Sequence, residues 1–207
     1  MEQELLAIFD EKRNRIGTAT REEVHKIGYW HETFHCWFIS VEEDGIYVHL
    51  QIRSDKKKDY PNLLDITAAG HILANETVHD GIREVHEEVG IHVQFDELVS
   101  LGVIPYAVKM GEFIDKELAH VFLYENKQPM DVYNVQVEEV SGVVKVSYES
   151  FAELWYGNRD TVCIEGFEVN EQGERIAICK TVDRSAFVPH ERAYYINIIE
   201  KIREGNI

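Results

Sequence analysis

Cysteine is scarce in this sequence. There are three among 207 residues (Cys36, Cys163 and Cys179), an odd number, widely spaced and without a Cys-x-x-Cys pair. That excludes a disulfide framework and a cysteine-built zinc site, and it points to a reducing compartment. Positive charge is also short: 21 Lys and Arg stand against 38 Asp and Glu, a formal net charge of −17. Affinity for a phosphate backbone comes from clustered Lys and Arg, so a general nucleic-acid binder is excluded. A small phosphorylated substrate is not, because cations and a few local bases can invert the field inside one cleft. No stretch approaches a membrane span, and the opening MEQELLAIFDEKRNRIG has no apolar run of signal-peptide length. The expectation is a cytoplasmic protein without a membrane partner. Only four prolines occur, with no linker, low-complexity tract or internal repeat. A hydrophobic content of 44% with 29% charged residues is that of an ordinary globular chain. Its length suits one well-buried core, so a single domain over 1–207 is expected.

What is present concentrates at residues 70–91, GHILANETVHDGIREVHEEVGI. At about 100° per residue on a helical wheel, Glu87 lies about 60° to one side of Glu84 and Glu88 about 40° to the other. Three carboxylates therefore share one narrow face. Ile82, Val85 and Val89 form the neighbouring stripe, which can bury while the acids point into a cleft. Thr77 followed by Asp80 is a start signal, and Gly90 can end the helix in the left-handed conformation. Like charges this close repel unless a cation sits between them. All-oxygen ligation suits Mg²⁺ or Mn²⁺, ions that keep positions open for water and phosphate oxygens. The plainer alternative is a solvated acidic helix face.

The wider spacing resembles the Nudix box of the Nudix hydrolase superfamily: Gly70, Glu76, then Arg83-Glu84, Glu87-Glu88, Gly90 and an apolar residue. One departure is that six residues, Thr77 to Ile82, separate Glu76 from the Arg-Glu pair where the family has seven. The opening of the chain resembles the N-terminal extension of the isopentenyl-diphosphate-isomerase-like branch. The resemblance implies an α/β protein, an α/β/α sandwich with a mixed β-sheet (about 30–157), carrying an N-terminal strand extension (1–29) and a C-terminal hairpin and helix (158–207).

The residues between fit that outline. Two short strands are read in 4–19, a helical turn in 20–28 closed near Gly28, and a hairpin from 34–40 and 46–53. A short strand delivers the chain to Gly70. Strands at 98–107 and 117–124 turn near Gly111, and a strand at 140–147 precedes a helix, YESFAELWYG, on the opposite side of the sheet. A second hairpin follows at 162–169 and 175–182. Pro189 is read as starting a final helix with Tyr195, Ile198, Ile199 and Ile202 on one stripe. That stripe fits packing on its own domain or on a second copy, so a homodimer stays open.

The resemblance implies metal ligation by Glu84, Glu87, Glu88 and the Gly70 carbonyl, with Glu76, Arg83 and Gly90 as structural members of the box and Arg83 orienting a glutamate. For the general base, Glu87 and Glu88 are candidates, as are Glu138, Glu139 and Glu117 outside the box. Arg53 and Lys57 match the bases that grip a diphosphate in the isomerase-like branch, with Lys58 beside them; a solvated lysine loop is the alternative. His25, His31, His71 and Glu117 match a separate metal site of the isomerase. The preferred reading here is polar cleft residues that hydrogen-bond locally, with a second metal as the alternative. Trp30, Trp37, Tyr60 and Phe113 are candidates for stacking on a base or ring, with core packing favoured for Trp37. The isomerase's catalytic cysteine position is Ala69, which removes a proton-exchanging group. The expected function is therefore hydrolysis of a diphosphate linkage in a nucleoside diphosphate derivative or similar small organic pyrophosphate. Isomerase-type activity and a non-catalytic nucleotide sensor are the alternatives.

Overall fold

The computed structural model describes residues 4–205; the expected domain limits at 1–3 and 206–207 lie outside the described residues. The organising element is the long strand β3, Trp30–Glu42, preceded by β1 (Leu5–Phe9), β2 (Arg15–Thr20) and helix α1 (Arg21–Ile27). Thr20 caps α1, exchanging hydrogen bonds with Glu23, and Gly28 closes it at φ 81°. β4 (Gly45–Arg53) pairs antiparallel with the second half of β3, as the expected hairpin. The approach to Gly70 is two short strands rather than one. β5 (Leu64–Ile66) pairs with β4, then β6 (Ala68–His71) pairs with the first half of β3. Thr67 makes the switch, its buried hydroxyl donating to the His49 carbonyl and accepting from the Phe38 amide.

Residues 78–82 form a 3₁₀ turn and only Arg83–Val89 is α-helical, α2. The Asp80 carboxylate accepts from the Thr77 amide and hydroxyl, so the start signal is used, but to begin the tighter turn. β7 (Val99–Met110) and β8 (Phe113–Glu125) extend further than expected toward Gly111, and β8 runs parallel to β3, making the sheet mixed. β9 (Val140–Ser147) joins β4, α3 (Tyr148–Tyr156) follows, and the hairpin β10 (Thr161–Val169) and β11 (Arg175–Asp183) continues the same sheet. The final helix α4 begins at Arg192, not Pro189. Pro189 lies before it at a tight turn, the His190 amide bonding the Val188 carbonyl, because Phe187 and Val188 first bond to Leu64 at the sheet.

Alternation along β3 builds the layers. Phe34, Cys36 and Phe38 pack with Val85 and Val89 of α2. Trp37 and Ile39 face the other way, with Phe151 and Leu154 of α3 and Tyr195, Ile198, Ile199 and Ile202 of α4. The α/β/α sandwich and the apolar stripe of α4 are thus both present, the stripe covered by its own chain. Cys36 is buried; Cys163 and Cys179 are exposed on the last hairpin as free thiols, their sulfurs hydrogen-bonded at 3.7 Å. Among the described residues no helix is long and apolar enough to cross a membrane.

Candidate active site

One face of α2, strand β6 and the first half of β3 wall a cavity of about 490 Å³. Gly70 lets β6 approach the acids: a Cβ there would collide with the Glu84 carboxyl. Glu88 is 4% exposed and accepts from Gln51 Nε2 at 3.0 Å and the Ala69 amide at 2.9 Å. Burial, with the Glu84 charge adding to it, pushes the Glu88 carboxyl up to about 8. Burial likewise pushes Glu84 up to about 7, against the pull of Arg83. Glu87 reaches the cavity with a side chain 51% exposed.

Arg83 is the hub of this helix. Its Nε donates to Glu76 Oε1 at 2.8 Å, Nη2 to Glu76 Oε2 and the His71 carbonyl at 3.1 Å each, and Nη1 to Glu84 Oε1 at 2.6 Å and Glu87 Oε2 at 3.2 Å. Glu76 also accepts from the Leu73 amide at 2.8 Å. Despite the short spacing it therefore holds Arg83, across the 3₁₀ turn at Val78–Ile82.

Of the acids outside α2, Glu139 lines the cavity, ion-paired with Lys57. Glu138, expected as a catalytic candidate, is corrected. Its side chain is 62% exposed, 3.7 Å from Lys56, and off the cavity wall, because it lies on the outside of the turn that the Glu139 and Val140 amides close on the Gln136 carbonyl before β9. Arg53 lies on the wall, but its charge is engaged: Nη1 donates to Asp65 at 2.8 Å and Nε and Nη2 donate to the Asp59 carbonyl. Tyr60 and Phe113 line the cavity; Trp37 is core, and Trp30 bonds Glu11 away from it.

His25, His31 and His71 converge, with one ligand atom from each within 4.8 Å of the others, and His31, Asp115 and Glu117 form an overlapping group. Local hydrogen bonding, the expected reading, holds for one nitrogen of two rings: His25 Nδ1 with the Arg21 carbonyl and His31 Nδ1 with that of Tyr29. The other nitrogens turn inward. His31 Nε2 and Asp115 Oδ1 are buried, 3.5 Å apart, and without a hydrogen-bond partner. Burial holds His31 and His71 below the usual histidine range, favouring neutral rings, the form in which imidazole binds a metal. Although burial opposes it, the His35 contact keeps Glu117 well below the carboxylate range. Asp115 was missed in the sequence; its signal was the period of two, which puts residues 115 and 117 of β8 on one face. Asp65 and His190, also on the wall, carry no such signal.

The wall offers nine Asp and Glu against four Arg and Lys. None of the three cysteines is among its residues. A diphosphate can approach such a surface only with cations between, and these buried oxygens and imidazoles are donors of the type divalent cations take.

Comparison with known proteins is consistent with this geometry. No family model matches the chain. An uncharacterised Nudix hydrolase of Clostridium acetobutylicum is 39% identical over 204 residues, covering 99% of both chains. An isopentenyl-diphosphate Δ-isomerase of Aliivibrio fischeri is 26% identical over 163 residues, 78% of this chain and 90% of its own. Among solved structures, a MutT/nudix family protein of Enterococcus faecalis shares the fold at a TM-score of 0.53 and 13% identity, over 84% of this chain and 62% of that one. With full-length similarity at that level, and with an acid helix ordered by Arg83 and Glu76, the chain belongs to the Nudix hydrolase family.

Proposed function

We propose that this protein acts as a single domain and, with Mg²⁺ or Mn²⁺, hydrolyses the diphosphate linkage of a nucleoside diphosphate derivative or similar small organic pyrophosphate. The observation that supports this reading is the imbalance of the cavity wall, where nine Asp and Glu face four Arg and Lys and Gly70 leaves room beside the Glu84 carboxyl. A divalent cation bound there supplies charge neutralisation and an activated water. The chain's own residues do the positioning. Glu84 is held by Arg83 and Glu88 by Gln51 and the Ala69 amide, so both carboxylates are pre-aimed. Glu87 and Glu139 are the acids placed to take a proton from water, Glu139 with Lys57 beside it. Lys57, paired with Glu139, and Arg53, held by Asp65 and the Asp59 carbonyl, are the wall's positive charges for the phosphate end once a cation offsets the acids.

The isomerase alternative loses support, since the cavity holds no thiol. A second observation favours a further cation at the histidine cluster, where the unpartnered His31 Nε2 and Asp115 Oδ1 face each other.

The test is turnover of nucleotide sugars, dinucleotide polyphosphates, nucleotides and isopentenyl diphosphate with Mg²⁺ or Mn²⁺, alongside a count of bound metal. Glu88→Gln and Glu87→Gln are expected to lower hydrolysis by at least ~10²-fold. His31→Ala is expected to lose one equivalent of metal. Binding without turnover in the native protein would replace the hydrolase with a sensor, and undiminished turnover in Glu88→Gln would refute the site.

A further inference from the structure

The sheet ends at β11, which pairs with β10 on one side and, among the described residues, with no strand on the other. A free edge of nine residues is a template for another chain, and proteins commonly blunt one with proline, a bulge or charge. β7, another edge strand, is blunted in this way: it carries Pro105 and a register shift between Ser100 and Gly102. β11 has neither. It pairs with β10 in unbroken register from Val169 opposite Arg175 to Thr161 opposite Asp183. Its one central charge, Lys180, is neutralised by Glu168 of its own chain at 3.1 Å.

The hairpin turn fixes which backbone groups are free. The Asn170 amide donates to the Glu174 carbonyl at 2.9 Å, so these two residues bond across the strands, and bonding pairs recur at every second residue from there. Ile176, Ile178, Lys180 and Val182 therefore spend their amides and carbonyls on β10. Those of Arg175, Ala177, Cys179, Thr181 and Asp183 point to the open edge.

This row is complementary to itself. Two copies of β11 laid antiparallel about a two-fold axis at Cys179 overlap along the whole strand and bring the outward residues into bonding pairs: Cys179 with its counterpart, Ala177 with Thr181, Arg175 with Asp183. The same register sets residues of opposite sign against each other at both ends. Among the described residues neither Arg175 nor Asp183 forms an ion pair in its own chain. Arg175 lies over Phe167 and donates to the Asp131 and Tyr133 carbonyls, while Asp183 accepts from the Ser185 amide and hydroxyl. Ile176, 48% exposed, comes opposite Val182. Two chains of net charge −17 repel over most of their surfaces, but β11 holds Arg175 and Lys180 against Asp183, so here they meet without that repulsion. We propose that β11 is a homodimer interface, at which a second copy of this chain adds its own β11 and joins the two sheets into one.

A contact between two edges is small, so sedimentation velocity on the full chain should show mass rising from one chain to two over about 1–200 μM. Thr181→Pro removes an amide that points outward and leaves the β10–β11 ladder intact, and it should hold the protein at one chain throughout. The register is read at the axis. In Cys163→Ser the one exposed cysteine is Cys179, and bonded partners stand about 5.5 Å apart between Cα atoms. A short bis-maleimide should therefore join two chains of this variant on a denaturing gel, and should not once Thr181→Pro is added. Native protein that stays at one chain over the whole range would overturn the proposal. So would a dimer that survives Thr181→Pro, which places the contact on another face, or one that the Cys179 linker fails to trap. The linker result decides the matter if proline impairs folding, because Cys163→Ser leaves the backbone unchanged.

Discussion

At the scale of single residues, the folded protein holds several polar groups in states that water would not choose. His49 is the clearest away from the cavity. It is buried in β4, with Nδ1 2.6 Å from the Tyr133 hydroxyl and Nε2 2.9 Å from that of Ser40. Burial brings its pKa down to about 4. In the unfolded chain a histidine takes its proton near ~6.5. Between those values the unfolded state binds the extra proton, so stability is fully present above ~6.5 and falls as pH drops toward 4, by ~1.4 kcal/mol per unit. His49→Gln should therefore be less stable than the native protein by ~1–3 kcal/mol at pH 7.5, from lost hydrogen bonds. Urea unfolding at pH 4.5 should show that gap narrowed by ~2–3 kcal/mol. A gap independent of pH would mean that His49 is not held neutral.

Elements translate such residues into a site, and α2 does so at both ends. Its last carbonyls receive the chain that follows β8: the Val89 carbonyl accepts from the Asn134 amide at 2.9 Å and that of Glu88 from the Gln136 amide at 3.0 Å. That docking carries Gln136 and Glu139 to the cavity wall. It is possible only because Gly90 turns away at φ 72°, where a Cβ would stand 2.5 Å from the Asn134 carbonyl oxygen. Gly90→Ala should lower stability by at least ~2 kcal/mol and also reduce turnover, since it displaces Glu139. Gly173, at φ 79° in the last hairpin with open space around it, is the comparison. Gly173→Ala should cost only ~1 kcal/mol and leave turnover alone, and equal losses in the two variants, read by thermal unfolding, would remove steric docking from the explanation. Much of α2 was legible in the sequence because its three acids and apolar stripe repeat at helical spacing and glycine marks its end. The 3₁₀ turn before it was not, since residues 78–82 carry no signal separating two tightly wound forms. Strand lengths were under-read for β3, β7 and β8 because polar residues such as His31, Thr33 and Asp115 interrupt their apolar pattern. Thr33 and Asp115 line the cavity and His31 packs beside Asp115, so the pattern fails where the candidate site lies. His190 could not be read at all: its partner Asp65 is 125 residues away, and only the return of the chain to Leu64 brings them together.

For the molecule as a whole, the acid cluster sets folding against charge. Glu84 and Glu88 hold protons to about 7 and about 8, burial being the main cause, whereas in the unfolded chain they ionise near 4.5. Between 4.5 and 8 the folded state therefore binds more protons than the unfolded one. The sign of the linkage is that stability from these two groups declines as pH rises through that window, opposite to His49. In a chain of net charge −17, the four Arg and Lys on a cavity wall with nine acids oppose this shift without reversing it. A cation that binds only the folded protein adds stability by mass action, RT ln(1 + [L]/Kd), and it meets less competition from protons as pH rises. Metal-stripped protein should accordingly melt at a lower temperature at pH 8 than at pH 6. Millimolar Mg²⁺ or Mn²⁺ should raise the melting temperature at pH 8 by several degrees, and by less at pH 6. NaCl at matched ionic strength separates this from general screening of the negative surface, and Glu88→Gln should abolish most of the metal increment while itself flattening the pH dependence. If NaCl reproduces the whole effect, or if the variant responds to Mg²⁺ as the native protein does, the cations are not held by this helix.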